Sequence, residues 1–265
     1  MRVMPHSKKT KSLSTGHQST DMKKIVLLLL FAIALVACSS DSDGLSPGKG
    51  DGQGGSLAIF ALKGNYLYTV DHSTLNVFSV IDRNHPVKVN EIQIGWDIET
   101  LFSFGENLYI GSRDGMYIYS VAQPENPTFL SSAQHMRACD PVVANQTHSF
   151  VTLHSDAACG GPLNVLQVYD TQNLLSPVLI HQRNLTKPRG LGLYHDYLFV
   201  CDDVIKVFDI ANPGEPVLVT AIPKNCFDVI IKGDALFAIG DQAVFRYQLN
   251  PADIENITFK SQVTF

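Results

Sequence analysis

Chemistry in a chain of 265 residues begins with side chains that can exchange protons, hold cations or attack a substrate. Here they gather in two recurring places. One set stands just ahead of short apolar runs: Trp96, Asp97, His135, Arg137, Asp140, Arg189 and Asp228. The other follows such runs: Asp71, His72, Arg113, Asp114, His154, Asp156, Asp202, Asp203 and Asp241. Carboxylates and imidazoles brought together could run general acid–base chemistry or hold a cation. His72, His135 and His154 lack the close spacing of a zinc site, so no metal centre is assigned to them. An oxygen-rich calcium site near Asp97, Asp140 or Asp228 suits the residue types better, and it is the sole cofactor they suggest. His154, Ser155 and Asp156 have triad residue types without a nucleophile elbow, and no glycine-rich loop opens a helix to cradle phosphate. An aspartate recurring at one place in successive units (Asp97, Asp140, Asp228) behaves as a turn anchor that accepts backbone N–H bonds. No residue is therefore assigned as catalytic.

The elements that must position these groups are short strands. Tyr68, Tyr109, Phe150, Phe199 and Phe237 sit in alternating apolar runs spaced 41, 41, 49 and 38 residues apart. A second run follows each, at Val77–Val80, Ile118–Val121, Val168–Asp170, Val207–Ile210 and Val244–Tyr247. A third precedes each, at Leu57–Leu62, Ile98–Phe104, Pro141–Ala144, Leu191–Tyr194 and Val229–Ile231. A fourth follows a proline at Pro86, Pro127, Pro177 and Pro216, with Ile257-Thr258 standing in at the end. Four strands in about 40 residues, repeated, are the mark of a propeller blade, since one such meander cannot bury both of its faces alone. The sequence predicts an all-β fold over 57–265, a β-propeller of five four-stranded blades. Proline fits the outer strand, where a missing N–H costs least.

Ile205-Lys206-Val207-Phe208-Asp209-Ile210-Ala211-Asn212-Pro213-Gly214-Glu215-Pro216-Val217-Leu218 resembles the LVIVD repeat of bacterial and archaeal surface proteins. Weaker copies lie at Ile81–Pro86, Ser120–Pro127 and Tyr169–Val178. The resemblance implies a surface propeller and no particular activity. In this motif Asp82, Asp170 and Asp209 are expected to hold their own turns.

The N-terminus specifies a compartment. Met22-Lys23-Lys24 precedes an apolar run from Ile25 to Ala37. That run is shorter than the roughly 20 residues of a membrane span and suits a signal peptide, here residues 1–37 with 1–21 as a patternless extension. Leu35-Val36-Ala37-Cys38 resembles a bacterial lipobox, which implies cleavage ahead of Cys38 and acyl chains, palmitate among them, on the new N-terminus. Ser39 follows the cysteine, and Asp41 and Asp43 resemble the export tag of surface lipoproteins in Bacteroidetes-type bacteria. The expected location is the outer membrane, facing outward. Residues 38–56 then read as the lipidated cysteine and a glycine- and serine-rich tether.

In an oxidising envelope the remaining Cys139, Cys159, Cys201 and Cys226 are an even set expected to form disulfides. Blade topology puts all four on one face, which favours Cys139–Cys159 and Cys201–Cys226 among the three pairings. Without a leader ending before Cys38 the chain holds 14 basic and 24 acidic residues, a balance that excludes tracking of nucleic-acid phosphates. The expected function is that of a membrane-anchored binding module whose ligand face carries Trp96, Asp97, His135, Arg137, Asp140, His154, Arg189 and Asp228. A protein or a glycan is its expected partner. The alternative is an envelope enzyme, a metal-assisted glycan hydrolase or lyase, which requires titratable groups converging on one deep pocket.

Overall fold

The computed structural model describes residues 54–135, 141–155 and 163–265. The described residues form twenty strands and no helix. They make five antiparallel four-stranded sheets, each built from four consecutive strands, as expected for a five-bladed propeller. Blade 1 holds β1 (Phe60–Lys63), β2 (Tyr66–Asp71), β3 (Thr74–Ser79) and β4 (Val87–Gln93). Blade 2 holds β5 (Ile98–Phe104), β6 (Asn107–Ser112), β7 (Gly115–Ser120) and β8 (Thr128–Gln134). Blade 3 holds β9 (Val142–Ala144), β10 (His148–Leu153), β11 (Val165–Asp170) and β12 (Val178–Asn184). Blade 4 holds β13 (Leu191–Tyr194), β14 (Tyr197–Cys201), β15 (Ile205–Asp209) and β16 (Val217–Ile222). Blade 5 holds β17 (Asp228–Lys232), β18 (Ala235–Ile239), β19 (Ala243–Gln248) and β20 (Thr258–Thr264). The last strand pairs with β19, so no blade is shared between the two ends of the described chain.

Each repeat uses the same local devices. The third and fourth strands of every blade slip register once, after Val77, Ile118, Val168, Val207 and Arg246. A bulge there adds twist, which fans the outer strand away from the axis. The turn that follows is tied by a side chain accepting the N–H two residues on. Asp82 takes Asn84 at 3.0 Å, Asp170 takes Gln172 at 2.9 Å and Asp209 takes Ala211 at 2.8 Å. Ser120 and Asn250 do the same for Ala122 and Ala252, at 3.3 and 3.1 Å. Local polar bonding, rather than burial, thus sets the turns.

The core lies in the seams between blades. Tyr68, Leu75 and Val77 of blade 1 pack on Leu101, Leu108, Ile110 and Tyr119 of blade 2. One continuous cluster joins blades 2, 3 and 4 through Tyr109, Ile118, Phe150, Val168, Leu198 and Phe208. Phe199 and Val207 bring blade 4 against Leu236 and Tyr247 of blade 5. Outer strands also reach the next blade's turn: Asn90 donates to Glu125 O at 2.7 Å and Ser131 to Leu174 O at 2.6 Å, while His181 lies 3.0 Å from Gly214 O.

The fifth seam is different. Val77, Ile118, Val168 and Val207 are fully buried, whereas Arg246 at the same register position is exposed. Val263 is 68% exposed, against 8% and 5% for its equivalents Ala133 and Ile222. On the facing side Phe78 is half-buried, whereas Tyr119, Tyr169, Phe208 and Tyr247 are buried. Among the described residues no core cluster spans blades 5 and 1.

Candidate functional site

The loops joining second to third strands and the links between blades share one face, the mouth. Its centre is closed by the chain itself. Gly55 and Ser56, at the end of the segment read as tether, are buried, and Ala58 N returns to Gly55 O at 3.0 Å in a tight turn. Ser56 Oγ donates to Asp228 at 3.1 Å and accepts from Leu191 N at 2.7 Å. Leu57 N donates to the other carboxylate oxygen of Asp228 at 3.4 Å. The fit depends on glycine: a Cβ on Gly55 or Gly190 would lie 2.1 or 2.2 Å from an Asp228 oxygen. Below the turn, only about 20 Å³ is left between Gly54, Phe102, Val143 and Val229. The axis of the propeller is therefore filled at the mouth.

This placement sets the state of Asp228. Burial pushes its pKa up to about 6, against the opposing pull of the N–H and hydroxyl donors around it. Asp97 has a different task. Its carboxylate meets Arg113 Nη1 at 3.3 Å, Glu99 meets Arg113 Nε at 3.2 Å, and its backbone takes a φ of 50°. Both aspartates are bonded within the fold, Asp97 to Arg113 and Asp228 to the turn at Ser56–Leu57. His135 directly follows the outer strand β8, between blades 2 and 3 in sequence, with its N–H on Asp114 O at 3.2 Å. His154 follows β10 in blade 3 and is half-buried. Trp96 stands at the mouth in the link between blades 1 and 2, 80% exposed. Arg137 and Asp140 lie outside the described residues, as do Cys38, Cys139 and Cys159. Among the described residues no three His, Cys, Asp or Glu side chains are grouped to hold a metal ion; Asp140, one of the aspartates named for calcium, lies outside them.

The open space at the mouth lies off-axis, between blades 4 and 5. A cavity of about 400 Å³ is lined by Thr186, Lys187, Arg189, Asp202, Asp203, Asn225 and Asp241. A neighbouring cavity of about 500 Å³ shares Asn225 and Asp241 and continues along Gly240–Ala243. Asp202 is the structural member of the wall. It accepts Thr186 N at 3.0 Å and Lys187 N at 2.5 Å, and holds Lys206 Nζ at 2.5 Å. Lys206 also reaches Asp203 at 2.8 Å, which lowers the Asp203 pKa. The half-buried Arg189 has neither an ion pair nor a side-chain hydrogen bond among the described residues. Sequence reasoning named Arg189 but missed Lys187, Asn225 and the lateral position of the cavity. Nothing in local patterning shows that the N-terminal turn fills the axis.

The expected Cys201–Cys226 bridge is not formed; both are buried free thiols. Burial, then the nearby Asp228 charge, pushes the Cys201 thiol well above its usual range, and burial brings Cys226 to about 11. Such thiols stay protonated at neutral pH and react slowly.

No protein-family model matches the chain, and no curated protein matches it. Solved structures do. A protein of unknown function from Desulfotomaculum acetoxidans DSM 771 aligns with TM-score 0.63 and 12% identity, over 76% of this chain and 66% of that one. A Lactobacillus plantarum protein aligns with TM-score 0.63 and 10% identity, over 77% and 73%. The periplasmic gluconolactonase of Pseudomonas aeruginosa aligns with TM-score 0.58 and 13% identity, over 76% and 68%. This chain thus spans about two thirds to three quarters of these longer proteins, and the likeness is one of fold.

Proposed function

We propose that the chain is a lipid-anchored protein of the bacterial outer membrane, facing outward, whose LVIVD-type propeller binds a protein or glycan through its mouth. The observation that carries the binding role is the lateral cavity of about 400 Å³ with polar walls, open beside an axis that the chain has filled. Its volume falls in the range of small-molecule and sugar sites. Asp97, bonded to Arg113, and Asp228, bonded to the turn at Ser56–Leu57, are engaged inside the fold, which favours the binding reading over the alternative of an envelope enzyme.

The anchor rests on the apolar run ending at Cys38 and the polar, acidic stretch after it. Membrane fractionation of the full chain and Cys38→Ala tests it. The expected result is that the wild type sediments with membranes and incorporates labelled palmitate, while the variant does neither and keeps its leader. A Cys38→Ala chain that is processed and membrane-bound like the wild type would overturn the anchor.

A further inference from the structure

We propose that Arg189 is the anchoring residue of a site for a single carboxylate carried on a polyol, as in a uronic acid unit of an acidic glycan. This rests on the mouth being the binding face, and it names the ligand class. The first ground is the state of the cations. Among the described residues, the other half-buried cations whose interactions are resolved are engaged. Arg113 meets Asp97 and Glu99, Arg183 donates to Pro216 O and lies over Phe208, and Lys206 holds Asp202 and Asp203. Arg189 lines a cavity with three aspartates and pairs with none of them.

The neighbours define the rest of the ligand. Asp202 and Asp203 are committed to Lys206 and to the 186–187 backbone, so they do not neutralise the guanidinium. A planar guanidinium without a partner presents a fork that matches a carboxylate in two parallel bonds. Asn225, Asp241 and Thr186 on the remaining walls offer the donors and acceptors that hydroxyl groups need. Among the described residues no aromatic side chain lines this cavity, so a neutral sugar finds no ring there to stack on. Asp203 and Asp241, both exposed at the rim, disfavour a doubly charged phosphate or sulfate more than a single carboxylate.

The test is isothermal titration of the folded chain with glucuronate and galacturonate, beside glucose, acetate and inorganic phosphate. The expected result is saturable binding of one or both uronates, with glucose, acetate and phosphate at least tenfold weaker. Arg189→Met should lose at least tenfold in uronate affinity while melting at the wild-type temperature, and Arg189→Lys should retain part of it. Asn225→Ala should weaken the uronate and leave acetate unchanged. Uronate binding unaltered in Arg189→Met, acetate or phosphate binding as well as the uronate, or no uronate binding would each overturn the assignment. Those failures leave the wider reading standing if a neutral glycan or an envelope protein still binds at the mouth. Absence of every partner there would overturn both.

Discussion

At Asp228, burial and hydrogen bonding pull in opposite directions, and burial wins. Its carboxyl has a pKa of about 6 in the folded chain against 3.8 for an ordinary aspartate. The folded state therefore binds more protons than the unfolded state between those values, and stability falls as pH rises through them. The ionised form is penalised by roughly 3 kcal/mol above pH 7. Asp228→Asn, compared with wild type by urea denaturation at pH 4.5 and 7.5, should gain on the wild type by about 2 kcal/mol between the two pH values. Subtracting the two profiles removes the opposing contribution of His148, whose pKa burial lowers. A constant difference at both pH values would show that Asp228 is not the titrating group. The turn-anchor reading of Asp228 was legible because the residue recurs ahead of an inner strand. Its partners were not, since Ser56 is 172 residues away in sequence. For the same reason Arg189 was readable as a mouth residue, but its lack of a side-chain partner among the described residues depends on Asp202 and Asp203 being held by Lys206.

Blades were far more legible than contacts between them. Alternation, the spacing of Tyr68, Tyr109, Phe150, Phe199 and Phe237, and the proline before each outer strand all arise within a single repeat, where period and turn chemistry are local. The fifth repeat carries Arg246 where the others carry Val77, Ile118, Val168 and Val207, a difference that repeat spacing alone does not register. In the structure those four are sealed by the next blade and Arg246 faces solvent, as the outer face of a terminal repeat should. A matched pair of substitutions measures this. Val207→Arg buries an unpaired charge in the blade 4–5 seam and should cost about 4 kcal/mol or abolish folding. Arg246→Val should change stability by no more than about 1 kcal/mol. Equal costs in thermal or urea unfolding would mean that the blade 5 face is packed after all.

For the whole molecule, closure comes from an unexpected place. Blades 1 to 5 are linked seam by seam through apolar clusters, and the first and last meet through the turn at Gly55–Leu57, hydrogen-bonded to Asp228 and Leu191. Filling the axis moves the open space sideways to blades 4 and 5, and leaves Trp96 exposed in the link between blades 1 and 2 on the same face. Outer strands also expose apolar side chains, among them Val178 and Phe259, so the rim is the rival contact surface. The most direct test is site-specific photo-crosslinking in intact cells carrying the full chain, with a benzophenone side chain at position 96, 187, 178 or 259. The proposed mouth-binding module predicts a discrete adduct from positions 96 and 187 and none from 178 and 259. Adducts from the rim positions alone, or none from either mouth position, would contradict it.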